Sequence, residues 1–199
     1  MPRQYLLYDD KVALRPLEDS DAALLCDWVN DQAVLLYLGI PGRLTDGQEL
    51  EWIAAMRGSQ RDVVLGIVDL SDGALVGTVG IHLINRTDSN AMYGIMLGDK
   101  ERWSKGIGTA AGMLACDYAF NSLNLHRLHL SVAAFNPRGT KSYEKIGFRH
   151  EGSMQQHIYK QGSYHDVLFM GLLRDDFNAS HAEWRKQQQA RYGMDAGLE

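Results

Sequence analysis

Apolar and polar residues alternate from Lys11 to Leu17, and the alternation returns from Val63 to Leu70, Ala74 to Ile84 and Asn90 to Leu97. A period of two places successive side chains on opposite faces of a strand, so each stretch predicts a half-buried β-strand. Pro16 lacks an amide donor and closes the first of them. Ser71-Asp72-Gly73 supplies the turn that joins the second and third into a hairpin.

Between the first strand and the hairpin the period lengthens. Leu24, Leu25, Trp28 and Val29 fall on one face of a helix, with Ser20 placed to cap it. Thr45 and Gln48 have capping-box spacing for a second helix, with Leu50, Ile53 and Ala54 as its buried side and Gly58 as its stop. Thr109 to Phe120 is apolar nearly all round, which predicts a buried helix.

Leu128, Leu130 and Val132 mark a further strand. Asn136-Pro137 has the Asn cap and first-turn Pro of a helix start, and Gly147 is placed to end that helix, with Phe148 packing back onto it. Strands over 149–159 and 164–173 flank the turn Lys160-Gln161-Gly162. The order is β-α-α-β-β-β-α-β-α-β-β. Beyond it, 178–192 is polar and reads as a frayed tail rather than as a surface helix or a dimer arm. The expected organisation is one domain over 1–177 followed by a polar tail or helix over 178–199.

At 199 residues the chain can bury about 70% of its unfolded surface, enough for a core that needs no cofactor or disulfide. Hydrophobic (45%) and charged (23%) fractions are ordinary for a globular protein, so neither disorder nor a membrane class is suggested. No apolar run approaches the roughly 20 residues that span a bilayer, and the first ten residues do not form a signal peptide, so the expected compartment is the cytoplasm. A net charge of −5 argues against a nucleic-acid surface. Cys26 and Cys116 lie in apolar or amphipathic segments and read as reduced core thiols; no metal site is expected.

The run Trp103-Ser104-Lys105-Gly106-Ile107-Gly108 opens the apolar helix. Small residues at the positive end of a helix free backbone amides for a pyrophosphate, but glycines there also make plain turns, so the run alone leaves both readings open. It is not a nucleotide P-loop, because no Lys-Ser/Thr pair follows its glycines, and it lacks the position and acidic partner of a dinucleotide fingerprint.

The same run resembles the Gln/Arg-x-x-Gly-x-Gly/Ala signature of the GNAT acetyltransferase superfamily. Trp103 at its first position is similar to the branch that acts on ribosomal-protein N-termini. Asn136 to Phe148 (NPRGTKSYEKIGF) resembles the family's Asn-x6-Tyr-Glu-Lys-x-Gly-Phe segment. Asn136 and Tyr143, seven residues apart, come to one helix face after two turns. The resemblance spans about residues 11 to 175. It implies an α/β (α+β) fold with a mixed, mostly antiparallel seven-stranded sheet flanked by helices, and acetyl-CoA as cosubstrate.

By this resemblance the amides of Ser104 through Thr109 hold the pyrophosphate, with Lys105 as a phosphate partner. Ile95, Met96 and Leu97 pair with the pantetheine and offer an amide to the oxyanion, and Asn136 caps its helix and touches the cofactor. Tyr143 protonates the leaving thiolate; a phenol near pKa 10 gives up its proton to a thiolate whose acid is near 8.5 at modest cost. Met92 and Ala110-Ala111 occupy places where relatives often carry Glu, leaving His82, Tyr93 and His165 as candidate bases. The acceptor groove is expected between 31–44, with Tyr37, Leu38 and Ile40 as an apolar wall, and the hairpin near 159–164. The acceptor implied is a primary amine, with a protein N-terminus leading and a polyamine or amino sugar as alternatives. A non-catalytic acyl-CoA-binding module is the competing class, and a homodimer is an option that related enzymes suggest.

Overall fold

The structure, a computed structural model, describes residues 5–40 and 43–192. Its centre is an eight-stranded sheet in the order β1-β2-β3-β4-β5-β6-β8-β7. The strands are β1 (Leu7–Tyr8), β2 (Val12–Pro16), β3 (Val63–Asp69), β4 (Ala74–Asn85), β5 (Asn90–Leu97), β6 (Arg127–Ala133), β7 (Arg149–Lys160) and β8 (Ser163–Leu173). The helices are α1 (Ala22–Asn30), α2 (Gln32–Leu35), α3 (Asp46–Gly58), α4 (Ile107–Asp117), α5 (Pro137–Ile146), α6 (Arg174–Ser180) and α7 (Ala182–Arg191).

The expected seven strands are all present, and β1 makes the eighth. Its two residues, paired Leu7 to Leu14 and Tyr8 to Ala13, are too few to show a period. The segment expected as a tail is helical through α6 and α7. Phe177 is fully buried against Phe120, with ring centroids 5.5 Å apart. The Tyr192 hydroxyl accepts from the Tyr8 amide (2.7 Å) and donates to the Tyr8 carbonyl (2.8 Å), so the end of the chain clips the sheet edge.

Two other expectations are corrected. Ser20 lies inside a 3-10 turn (Asp19–Asp21) whose capping box is formed by Glu18 and Asp21. Asp21 is drawn there by Arg15, whose guanidinium grips its carboxylate at 2.7 and 2.9 Å with both side chains buried. On α3 the Thr45–Gln48 box forms and Ile53 is buried, but Leu50 and Ala54 face solvent, and Glu49 and Trp52 turn inward instead. Burial pushes the Glu49 carboxyl up.

All neighbouring strands are antiparallel except β5 and β6. These run parallel and pair only at Asn90–Arg127, Ala91–Leu128 and Met92–His129. Past Met92 they separate, and the remaining halves of both strands border an opening in the middle of the sheet.

Each sheet face has its own core. On one, α4 and α5 pack Leu114, Ala115 and Ile146 against Tyr93, Leu128 and Leu130. Gly112 lets them approach, since a Cβ there would meet Ile146 Cδ1 at 2.3 Å. On the other, α1 and α3 cover Met96, with Leu25, Trp28 and Ile53 as the buried centre. The Trp28 ring lies flat on Gly98, where a Cβ would stand 1.9 Å from it.

Candidate active site

The opening between β5 and β6 holds a cavity of about 640 Å³. Ile95, Met96 and Leu97 of β5 line it, together with Trp103, Ser104, Gly106, Gly108 and Thr109 from the loop and start of α4, Asn136 at the N-cap of α5 and Tyr143 on α5. The expected Lys105 and Ile107 do not. Ile107 is 3% exposed in the core, and the Lys105 carbonyl accepts from Lys11 Nζ at 3.1 Å. Lys11 therefore stands beside the loop from a strand edge far away in sequence.

The loop is held open by local chemistry. The Trp103 indole N–H donates to the Leu97 carbonyl at 2.8 Å, tying the loop to the end of β5. Ser104 (φ 63°) and Gly106 (φ 82°) take left-handed backbone, and glycine does so at little cost. Gly106 is the N-cap of α4 and has no side chain to accept from the first-turn amides, which remain free for a ligand. A Cβ on Gly108 would come within 3.3 Å of Leu97 Cδ1, so a side chain there would fill the space between helix and strand.

Charge in the cavity has one sign. Its charged lining residues are Arg138, Lys141, Lys145 and Lys160, and no carboxylate lines it among the described residues. The Arg138 guanidinium lies over the Trp103 ring at 3.8 Å and within 5.3 Å of the Tyr37 ring. The field, the bare helix start and the glycine cradle suit a polyphosphate.

On α5, Asn136 Oδ1 accepts from the Gly139 amide at 3.0 Å, so its side chain caps the helix while lining the cavity. Thr109 and Ser142 hydroxyls, 2.9 Å apart, link the first turn of α4 to α5. The Tyr143 ring stands edge-on to Tyr93 (6.0 Å, 83°) and near Phe148 (6.2 Å). Burial pushes its phenol up to about 12, above the value of 10 expected for a free tyrosine.

The candidate bases separate in space, and none lines the cavity. Tyr93 is 3% exposed, its hydroxyl has no partner, and burial holds it protonated far above neutral pH, which removes it as a base. His165 packs against Phe135 at 4.7 Å, with Nε2 3.2 Å from the Lys160 carbonyl oxygen. His82 Nδ1 pairs with Asp62 Oδ1 at 3.2 Å.

Tyr37 and Leu38 line the cavity as well, Tyr37 meeting the Trp103 ring at 6.3 Å, and are joined by Val34, Leu36 and Ile158, while Ile40 faces solvent. Lys160 Nζ donates to the carbonyls of Leu35 and Leu38, each at 3.3 Å, tying the β7–β8 hairpin to the segment after α2. Sequence reasoning passed over Arg138, Lys160 and Lys11. Only Arg138, inside the Asn136 motif, carried a local signal.

Likenesses to known proteins bear on this arrangement. The chain is 33% identical over 110 residues to the spermidine N(1)-acetyltransferase of Escherichia coli (strain K12), covering 55% of this chain and 59% of that protein. It is 33% identical over 108 residues to YdaF of Bacillus subtilis, provisionally named a ribosomal N-acetyltransferase, covering 54% and 58%. The crystal structure of Vibrio cholerae spermidine N-acetyltransferase in complex with CoA and spermine matches with a TM-score of 0.79 at 26% identity, over 85% of this chain and 99% of that one. The acetyltransferase (GNAT) domain model matches residues 11–149, which take in β2 through β6, the opening, the glycine loop and α5. The chain therefore belongs to the GNAT acetyltransferase family and is an acetyl-CoA-dependent N-acetyltransferase.

Proposed function

We propose that the protein acetylates a primary amine of an aliphatic polyamine. What carries the reading is the likeness to spermidine N-acetyltransferases, which in the Vibrio cholerae enzyme runs through almost the whole of that chain. It favours the polyamine over the protein N-terminus expected first from the Trp103 variant of the loop. The acceptor side fits: Val34, Leu36, Leu38 and Ile158 offer apolar surface for methylenes, and Tyr37 an aromatic face for a cation. The ammonium of Lys160 is already engaged by two carbonyls there.

In this reading the amides from Ser104 to Thr109, with Lys11, Arg138, Lys141 and Lys145 around them, receive the phosphates of acetyl-CoA. Lys105 contributes its carbonyl to hold Lys11, and Ile107 anchors the helix start in the core. Ile95 and Met96, freed from β6, present backbone to the pantetheine and the thioester carbonyl, and Leu97 adds its amide edge while its carbonyl is held by Trp103. Tyr143 donates to the leaving sulfur. Full proton transfer from a phenol near 12 to a thiolate of ordinary basicity (acid near 8.5) is uphill by about 5 kcal/mol at 1.36 kcal/mol per unit. The same burial raises the basicity of the thiolate formed beside it, so donor and acceptor are brought closer than those values imply.

Initial rates of CoA release with spermidine, spermine, an alanine-terminated peptide and glucosamine test the reading. Spermidine or spermine is expected to exceed the others by at least about tenfold in kcat/KM, a difference of 1.4 kcal/mol. A preference for the peptide would overturn the polyamine assignment and leave the acetyltransferase assignment in place.

A further inference from the structure

Gly80 of β4 and Gly94 of β5 are direct register partners, so the two strands present a patch of bare backbone side by side. The His82 imidazole lies down on that patch. A Cβ at Gly80 would stand 2.2 Å from His82 Nε2, and one at Gly94 would stand 3.5 Å from the same atom. Any other residue at Gly80 would lift the ring away. The far nitrogen is fixed as well: Nδ1 is 3.2 Å from Asp62 Oδ1, and Asp62 is itself held by the Ser59 hydroxyl (2.8 Å) and the Leu83 amide (3.2 Å).

A carboxylate can only accept, so Nδ1 is the donor to Asp62; in the neutral ring this places the lone pair on Nε2, and no protein group among the described residues hydrogen-bonds Nε2. The ring is reachable from solvent, its side chain 25% exposed. Its direction matters most. It runs back along β4 from Met92's level toward Gly94, on the sheet face that also carries Met96 two residues further on, and Met96 lines the cavity. Since β5 parts from β6 just past Met92, Gly94 lies beyond the split and next to the cavity-lining Ile95, so Nε2, over Gly94, stands behind the cavity wall rather than in the cavity.

We propose that His82 is the general base for the acceptor amine, with Nε2 receiving the proton through bridging water and Asp62 as the residue that positions it. The inference rests on the acetyltransferase activity and not on the identity of the amine. An ammonium R–NH3+ gives one proton to Nε2, and the freed lone pair attacks the acetyl carbonyl carbon. The C–N bond forms, the C–S bond breaks, and sulfur leaves with the bonding pair and takes the Tyr143 proton. The second nitrogen proton restores Tyr143, and His82 releases its own to solvent, one proton per acetyl group transferred. Besides Asp62, the charged or titratable groups facing this side of the sheet include the buried Arg15–Asp21 pair, with Arg15 in register with Gly66, Thr78 and Met96, and Glu49 from α3, which covers this face; His129, one strand beyond Met92 in register, and the paired Arg127 and Glu151 stand on the other side of β5.

The test is kcat/KM for the amine between pH 5.5 and 9.5 in the parent, His82→Gln and Asp62→Asn, using whichever amine of the panel above is turned over fastest. The parent is expected to lose activity toward acid. His82→Gln should fall by about 100-fold at neutral pH and lose that acid limb, with KM for acetyl-CoA unchanged. Asp62→Asn should keep a limb but displace it, with a loss of about tenfold, as expected when an imidazole loses the partner that orients it. A His82→Gln enzyme whose rate and pH profile stay within twofold of the parent overturns the proposal. So does a uniform loss in both variants with the acid limb unmoved, because that is the mark of a structural role. A preference for a peptide over polyamines would defeat the polyamine reading alone, since the pH comparison proceeds with the peptide.

Discussion

The Arg138 guanidinium lies 3.8 Å above the centre of the Trp103 ring and 5.3 Å from that of Tyr37, so one cation joins α5, the glycine loop and the acceptor-side segment. Trp103 in turn is fixed to the Leu97 carbonyl, and Tyr37 meets its ring edge-on at 6.3 Å. Removing the cation removes the contact that orders the loop against the other two elements. Arg138→Ala is expected to raise KM for acetyl-CoA by about 5- to 30-fold, the equivalent of 1–2 kcal/mol, with a smaller effect on kcat. Arg138→Lys should recover only part of this, because an ammonium cannot stack as a planar guanidinium does. Steady-state kinetics at saturating amine, with acetyl-CoA varied, measure both.

Tyr143 has a phenol pushed up to about 12, and that shift carries two consequences. Its hydroxyl stays protonated through pH 10, so turnover should show no alkaline loss from this residue in the range where an ordinary tyrosine ionises. Tyr143→Phe should lower kcat by about 100-fold or more while leaving acetyl-CoA binding within about threefold. The stability effect has a definite sign. The folded protein holds the proton more tightly than the unfolded chain, so stability is intact below pH 10 and is lost as pH rises from 10 to 12, by up to about 3 kcal/mol. Tyr143→Phe removes that loss, and urea midpoints at pH 8 and pH 11 should differ less in the variant than in the parent.

Arg15 and Asp21 form a two-point ion pair, their side chains 3% and 8% exposed, that pins the entry of α1 to β2. The Asp21 carboxylate also accepts from the Glu18 amide at 2.8 Å, closing the 3-10 turn. Removing Asp21 leaves the Arg15 guanidinium buried without that counter-charge. Asp21→Asn is expected to destabilise by about 3–5 kcal/mol in urea unfolding. The double variant Arg15→Met/Asp21→Leu should recover much of the loss, because no uncompensated charge remains.

Legibility followed the range of the interactions involved. Asn136, Tyr143 and Gly147 could be read because cap, face and stop lie within one helix, and the strands of the hairpin because a turn and a period of two are local properties. Leu50 and Ala54 were misread because α3 has almost no apolar asymmetry, and the burial of Glu49 and Trp52 is decided by what α1 brings against it. The polar run of α7 hides its anchors, Trp184 and Gln188, for the same reason. Lys11 reaches the Lys105 carbonyl across the fold. The orientation of His82 is set by a glycine on each of two strands and a carboxylate from a loop, a combination that no single stretch of sequence displays.

Lys160 joins two pieces of the acceptor side that otherwise touch weakly. Its ammonium is held between the carbonyls of Leu35 and Leu38, and its own carbonyl oxygen faces His165 Nε2 at 3.2 Å. Tyr37 and Leu38, which line the cavity, lie in the segment that Lys160 restrains. Truncation to Ala leaves that segment held by the ring contacts of Tyr37 but frees the carbonyls of Leu35 and Leu38, so the Leu38 part of the wall must be ordered anew each time an amine binds. Hydrogen bonds to a charged donor contribute about 1.5–3 kcal/mol each, of which the part spent on ordering appears in amine binding. Lys160→Ala is therefore expected to raise KM for the amine by about tenfold, with a smaller change in KM for acetyl-CoA because the glycine loop has its own ties, Trp103 to the Leu97 carbonyl and Lys11 to the Lys105 carbonyl. Lys160→Gln retains one donor group and should fall between the two. Equal increases in both Michaelis constants would show that the hairpin supports the whole cavity and not the acceptor wall alone.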